Sequence, residues 1–138
     1  MIRAGERVFV DTGAWIALAI ASDSFHERAR SAWSALERSG ARLFTSTAVV
    51  LETFTYLDRK GSRELATRWL DAIEHVKPLT ILDFTGSDVR SARRHLERRD
   101  LHKLGLVDAI SFFLMQRQRI RVAFAFDTHF AMAGFRLF

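Results

Sequence analysis

Four carboxylates in this chain are placed where they could share a cation: Asp11, Glu52, Asp108 and Asp127. Asp11 ends the short apolar run Val8 to Val10, and Asp127 ends the longer run Arg121 to Phe126. Glu52 interrupts the apolar and β-branched stretch VVLETFTYL, residues 49 to 57, so it must face water or point into a polar site, because a charge buried without partners is strongly disfavoured. Asp108 falls near the first turn of the apolar stretch KLGLVDAISFFLM, residues 103 to 115. With no His or Cys among them, the four describe an oxygen-only site, which suits hard cations such as Mg²⁺ or Mn²⁺. Acidic ligands in a basic surround suit phosphodiester hydrolysis, in which a metal lowers the pKa of the attacking water and stabilises the leaving oxygen.

Each acid also has a simpler role open to it. Asp11 followed by Thr12 is a good helix N-cap, and Asp108 would gain from the dipole of the helix it opens. Asp83, at the end of residues 79 to 82, is a rival for the site, although Asp83, Phe84, Thr85 and Gly86 read more as a turn into the next helix cap.

Positioning these acids requires a particular set of elements. Val8–Val10, Arg42–Thr45, residues 79–82 and Arg121–Phe126 read as strands, the last with the nearly continuous apolar character of a sheet covered on both faces. Between them run helical patterns: a short apolar helix over Gly13–Ala21, then one opened by a Ser24/Glu27 capping box and closed at Gly40. A third helix, carrying Glu52 and capped by Ser46 or Thr47, is followed by a fourth from Ser62 with Leu65, Trp69, Ala72, Ile73 and Val76 on one face. A fifth, about Ser87–Arg99, turns Val89, Ala92 and Leu96 inward, and a sixth carries Asp108 and runs to about Arg119. Strand–helix alternation with these crossovers predicts right-handed parallel pairing in one α/β three-layer sandwich, a mostly parallel sheet of four to five strands flanked by helices. In such a sheet ligands bind in the crevice outside the carboxyl ends of the strands, and neighbouring strands lie only about 4.8 Å apart. Asp11 and Asp127 would therefore emerge side by side, with Glu52 and Asp108 on helices leaving the same edge.

Composition narrows the partner. The 138 residues suit a single domain (1–138) with a real core, 49% of them hydrophobic. There are no cysteines, which excludes thiolate zinc sites, cysteine nucleophiles and disulfides and fits a reducing cytoplasm. No stretch is long enough to be a signal peptide or to span a membrane. Net charge is +5 and the pI about 10.6, with 18 arginines against three lysines. Arginine's planar fork suits phosphate, so nucleic acid leads the partner classes. Arg90, Arg94 and Arg98 recur at i, i+4 and i+8, and with Lys103 they form a basic stripe that is either a solvated face or a track for an RNA backbone.

The order VFVDTGAW, VVLETFTYL, LGLVDAISFFLM and FAFDTHFAMAGF resembles a PIN-domain ribonuclease of the VapC toxin type over essentially the whole chain. The resemblance implies the PIN sandwich, Asp11, Glu52, Asp108 and Asp127 as the acidic metal-binding and catalytic quartet, and Mg²⁺ or Mn²⁺ as cofactor. It further implies an RNA substrate, a cognate antitoxin partner and a homodimer. Two positions depart from the usual pattern: Gly105 stands three residues before the third acid where Ser is common, and Ala125 stands two before the fourth where a hydroxyl is common. A non-cleaving PIN-like module that binds RNA or protein is the alternative, and an intact quartet of mutually repelling acids argues against it. Phosphoaspartate hydrolysis would want an acid two residues after Asp11, where Gly13 stands.

Overall fold

The computed structural model describes residues 2–138. Its sheet contains β1 (Arg7–Val10), β2 (Arg42–Ser46), β3 (Leu79–Leu82), β4 (Val122–Phe124) and β5 (Arg136–Leu137), in the order β3-β2-β1-β4-β5. Every pairing is parallel, with Phe9 opposite both Phe44 and Ala123. Successive side chains of a strand point to opposite faces, and Val8, Phe9 and Val10 are all 0% exposed, so helices cover the sheet on both sides.

The helices are α1 (Thr12–Ala19), α2 (His26–Ser39), α3 (Thr47–Tyr56), α4 (Arg63–Ile73), α5 (Gly86–Leu96), α6 (Leu106–Arg117) and α7 (His129–Met132). The indole of Trp15 on α1 meets those of Trp33 on α2 and Trp69 on α4, at centroid separations of 5.5 and 6.1 Å. On α5 and α6 the packing runs through His95 against Phe112, whose ring also meets Phe130 and Phe135. The α/β sandwich expected from the strand–helix alternation is therefore present, with five strands. No helix among the described residues is long and apolar enough to cross a membrane.

Local chemistry accounts for four of the helix ends. Ser46 accepts a hydrogen bond from the Val49 amide and Ser62 from the Leu65 amide, starting α3 and α4. Thr85 and Asp88 form a reciprocal capping box at α5. Gly40 ends α2 at φ +74°, a left-handed conformation that disfavours a Cβ.

Several sequence expectations shift. There is no Ser24/Glu27 capping box: Asp23 accepts from the Phe25 amide and its carbonyl from the His26 amide, an extra turn that leaves Phe25 at the N-cap of α2 with no side-chain cap. Leu96 is 39% exposed, because α5 ends there and its packing against Phe112 is made by His95, 4% exposed. Ala72 also faces outward, while Ile73 takes the buried place. The sixth helix begins at Leu106 and ends at Arg117, and the fourth strand keeps only Val122–Phe124 of Arg121–Phe126. Short α7 and β5 follow, elements too brief to show a period in the sequence.

Candidate active site

Strands β1 and β4 are neighbours, with Val10 opposite Phe124. The Asp11 amide donates to the Phe124 carbonyl at 3.0 Å, carrying the pairing one residue past β1. Behind this corner the Thr45 hydroxyl, fully buried, donates to the Val10 carbonyl at 2.9 Å and accepts the Trp15 indole N–H at 3.3 Å. The residue before Asp11 is thereby tied to both β2 and α1.

Asp11 occupies the N-cap position of α1, yet its side chain makes no capping hydrogen bond. It is 4% exposed, and its buried Oδ1 has no hydrogen-bond partner. Burial, and next the negative charge of Asp108, push its carboxyl well above the ordinary carboxylate range; Glu52 and Asp127 add to the rise and the Thr12 amide offsets part of it. A cap would be satisfied by the helix amides, so the N-cap reading of Asp11 does not account for this side chain.

Asp108 lies in the first turn of α6, where aligned peptide dipoles favour negative charge. Burial, then the charges of Asp127 and Glu52, nevertheless push its carboxyl up to about 7. Ligand atoms of Asp108, Asp127 and His129 lie within 4.8 Å of one another. Glu52 is on the solvent-exposed side of α3, where it lines a groove of about 650 Å³ with Leu51, Tyr56, Leu106 and Val107. Its charge is nonetheless felt by both Asp11 and Asp108.

His129 extends the oxygen-only set expected from the sequence. Its amide donates to Asp127 Oδ1 at 2.8 Å, and its Nδ1 lies 2.9 Å from the same oxygen. Its Nε2 is 2.9 Å from the carbonyl of His102, which can only accept, so Nε2 carries the proton. In a neutral ring Nδ1 then turns a lone pair toward the carboxylate, a contact relieved by a proton or a cation between the two atoms. Counting acids alone overlooked this residue. The signal was present in DTHF, where an imidazole two positions after the acid folds back on it in a tight turn.

The other sequence candidates lie elsewhere. Asp83 follows β3, two strands from β1, and accepts from the Thr47 hydroxyl at 2.7 Å, which accounts for it as a turn residue. Along the basic stripe Arg94 donates to Gln116, and Arg98 binds Asp100 and reaches the Met132 carbonyl, while Arg90 stays exposed. Lys103 is exposed next to His102, at φ +62°.

The residues fit a hard divalent cation. A buried, unpartnered Asp11 Oδ1 and a carboxyl at Asp108 raised to about 7, partly by the charge of Asp127, belong to one crowded acidic cluster at this sheet edge, with His129 against Asp127.

The PIN domain family model matches residues 8–136. The 23S rRNA-specific endonuclease VapC20 of Mycobacterium tuberculosis is 34% identical over 128 residues, covering 93% of this chain and 95% of that protein. The crystal structure of VapC20, described as a sarcin-ricin loop cleaving toxin, superposes with a TM-score of 0.82 at 33% identity over 93% of this chain and 95% of that one. VapBC2 from Rickettsia felis, bound to a DNA fragment of its promoter, shares the fold with a TM-score of 0.70 at 14% identity, over 96% of this chain and 97% of that chain.

Proposed function

The chain belongs to the PIN-domain family, and from that premise we propose that it is a metal-dependent endoribonuclease, the toxin of a toxin–antitoxin pair. The observation that carries this reading is the buried Asp11 carboxylate, whose Oδ1 has no partner although Asp108, Glu52 and Asp127 all raise its proton affinity. A fold has no reason to retain that arrangement for stability, since like charges in a desolvated pocket oppose folding.

Asp11, Glu52, Asp108 and Asp127 are the residues that would hold Mg²⁺ or Mn²⁺. When bound, such an ion supplies Lewis acidity, activating water and neutralising charge on the phosphate oxygens. The chain's own residues have distinct parts. Asp11 is the rigid member, fixed by β1, β4 and the Thr45–Val10 bond. Asp108, pushed up to about 7, can hold a proton when no cation is present and release it when one binds. Asp127 is oriented by His129, and exposed Glu52 closes the site on the groove side. Ala125 and Gly105 contribute no hydroxyl, whereas the buried Thr12 hydroxyl, next to Asp11, has no hydrogen-bond partner.

We read residues 1–138 as a single domain acting in the cytoplasm, with the antitoxin as protein partner and a homodimer as the assembly. For the RNA backbone we assign exposed Arg90 and Lys103 to phosphate contacts, and Arg94 and Arg98 to the same face while anchoring it through Gln116 and Asp100. The relative's substrate, 23S rRNA, makes a ribosomal stem-loop the first RNA to try. Purified protein incubated with such an RNA should cut it with Mg²⁺ or Mn²⁺, stop in chelator, and be inactive as Asp11→Asn. Cleavage that survives chelation, or that persists in Asp11→Asn, would sink the assignment.

A further inference from the structure

We infer that Phe25, Phe126 and Arg28 form a stacking platform for one unpaired base of the RNA substrate, anchored at the residue before Asp127; the inference rests on the nuclease reading above. Phe126 immediately precedes Asp127, so its backbone is one residue from the acidic cluster. Its ring is stacked on Phe25, with centroids 4.5 Å apart and planes 10° from parallel. The guanidinium carbon of Arg28 is 5.4 Å from one centroid and 5.5 Å from the other. A cation capping the outer face of Phe25 would be farther from Phe126 by roughly the ring spacing, so Arg28 flanks the stack and leaves that face open. Phe25 is 37% exposed. Next to the pair, a depression of about 390 Å³ is lined by Glu27, Arg28, Ser31, Ala32, Phe126 and Phe138.

Packing on Phe126 uses one face of the Phe25 ring. Phe25 occupies the N-cap of α2, where Ser, Thr, Asp or Asn would satisfy the helix amides and Phe satisfies none. An aromatic face with a cation at its edge matches one nucleotide: the base stacks on the ring and the phosphate meets the guanidinium. Arg28 has no carboxylate partner among the described residues and is available for that contact. Stacking accepts any base, so the platform sets where the chain is held relative to Asp127 rather than which base is read.

The test uses the RNA that wild-type protein cuts and a series in which each nucleotide flanking the cut is made abasic in turn. Phe25→Leu should raise KM on the intact RNA by about 5- to 100-fold with little change in kcat. On the one abasic RNA lacking the stacked base, Phe25→Leu and wild type should have equal KM. Phe25→Trp should bind the intact RNA at least as tightly as wild type and keep the discrimination against that abasic RNA. An unchanged KM for Phe25→Leu on intact RNA, an equal loss on every abasic RNA, or a Trp variant blind to the missing base would each overturn the platform. If wild-type protein cuts RNA while any of these holds, only the platform falls; if it cuts no RNA with either metal, the nuclease reading falls and takes this inference with it.

Discussion

The amide of Asp11 donates to the carbonyl of Phe124, at 3.0 Å, one residue beyond the register pair Val10 and Phe124. Together with the β1–β4 pairing that it extends, this bond holds Asp11 beside the strand that leads to Asp127 and fixes its backbone before any ligand arrives. Preorganisation of this kind explains why Asp11 can be buried with an unsatisfied oxygen: the surrounding strands over-determine its position.

Asp11→Asn is therefore expected to separate function from stability. It removes the most buried carboxylate of the set and keeps its size, so cleavage should fall by at least about 100-fold. Melting of the metal-free protein should rise, because burial and the charges of Asp108, Glu52 and Asp127 all disfavour the native carboxylate. Thermal melts in chelator check this, and a lower melting temperature for the variant would return Asp11 to a structural role.

Stability in chelator should also depend on pH with a definite sign. Asp108 is raised to about 7 in the fold from an ordinary value near 3.8, so between these values the native state binds more protons than the unfolded chain. Its contribution is fully present below the unfolded value and is lost as pH rises through about 7. The metal-free protein should thus melt at a lower temperature at pH 8 than at pH 5.5. Asp108→Asn should flatten that slope, and saturating Mg²⁺ should raise the melting temperature most at the alkaline end. A metal-free melting temperature that climbs across this range would contradict the proton affinity assigned to Asp108.

Sequence patterns singled out Asp11 and Asp127 because each sits where an apolar run stops, and Asp108 because it falls near the start of one; such ends are visible in one dimension. Glu52 was legible for the converse reason, a charge breaking an apolar run. His129 was not, since its importance comes from two contacts with His102 and Asp127 across a tight turn, which no periodicity encodes. The Ser24/Glu27 box matched a local signature that lost to an Asp23 turn, and Leu96 matched a helical period in a helix that had already ended. Short β5 was hidden because a two-residue strand has too few positions to alternate.

Thr45→Val tests the scaffold behind the site. The substitution keeps the volume but removes the bond to the Val10 carbonyl and leaves the buried Trp15 indole N–H without its partner. A loss of about 1 to 3 kcal/mol in urea unfolding is expected. Because Val10 precedes Asp11, kcat should fall further than the residual stability alone would dictate. A fully active, fully stable Thr45→Val protein would show that the corner holds itself.

The basic stripe should divide by salt dependence. If exposed Arg90 and Lys103 contact phosphates, each replacement by Ala should reduce the slope of log K against log salt by about 0.7 for single-stranded RNA. Arg98 is held by Asp100 and the Met132 carbonyl, so Arg98→Ala should act on the stability of the segment around α7, within about 1 kcal/mol, and change the slope less. Slopes equal to that of wild type in all three variants would make the stripe a solvated face.

His129 poses the sharpest question, because an imidazole against a carboxylate of the proposed site can either orient it or exchange protons with substrate. The contacts favour orientation. Nε2 is committed to the His102 carbonyl, and Nδ1 is turned to Asp127 Oδ1 at 2.9 Å. Through these contacts the ring ties the loop leading to Asp108 to the loop carrying Asp127, and both acids move if the tie is cut. His129→Ala is then expected to weaken apparent Mg²⁺ affinity by about 10- to 100-fold, the usual effect of removing a group that orients a metal ligand. Raising Mg²⁺ should bring kcat back to near the wild-type value, with the shape of the pH–rate profile preserved. A general acid or base would behave differently: kcat would stay depressed at saturating Mg²⁺ and one limb of the pH profile would vanish. Mg²⁺ titrations of cleavage rate at several pH values, in wild type and His129→Ala, distinguish the two, and a depressed kcat that no amount of metal restores would make His129 a participant in the chemistry rather than its support.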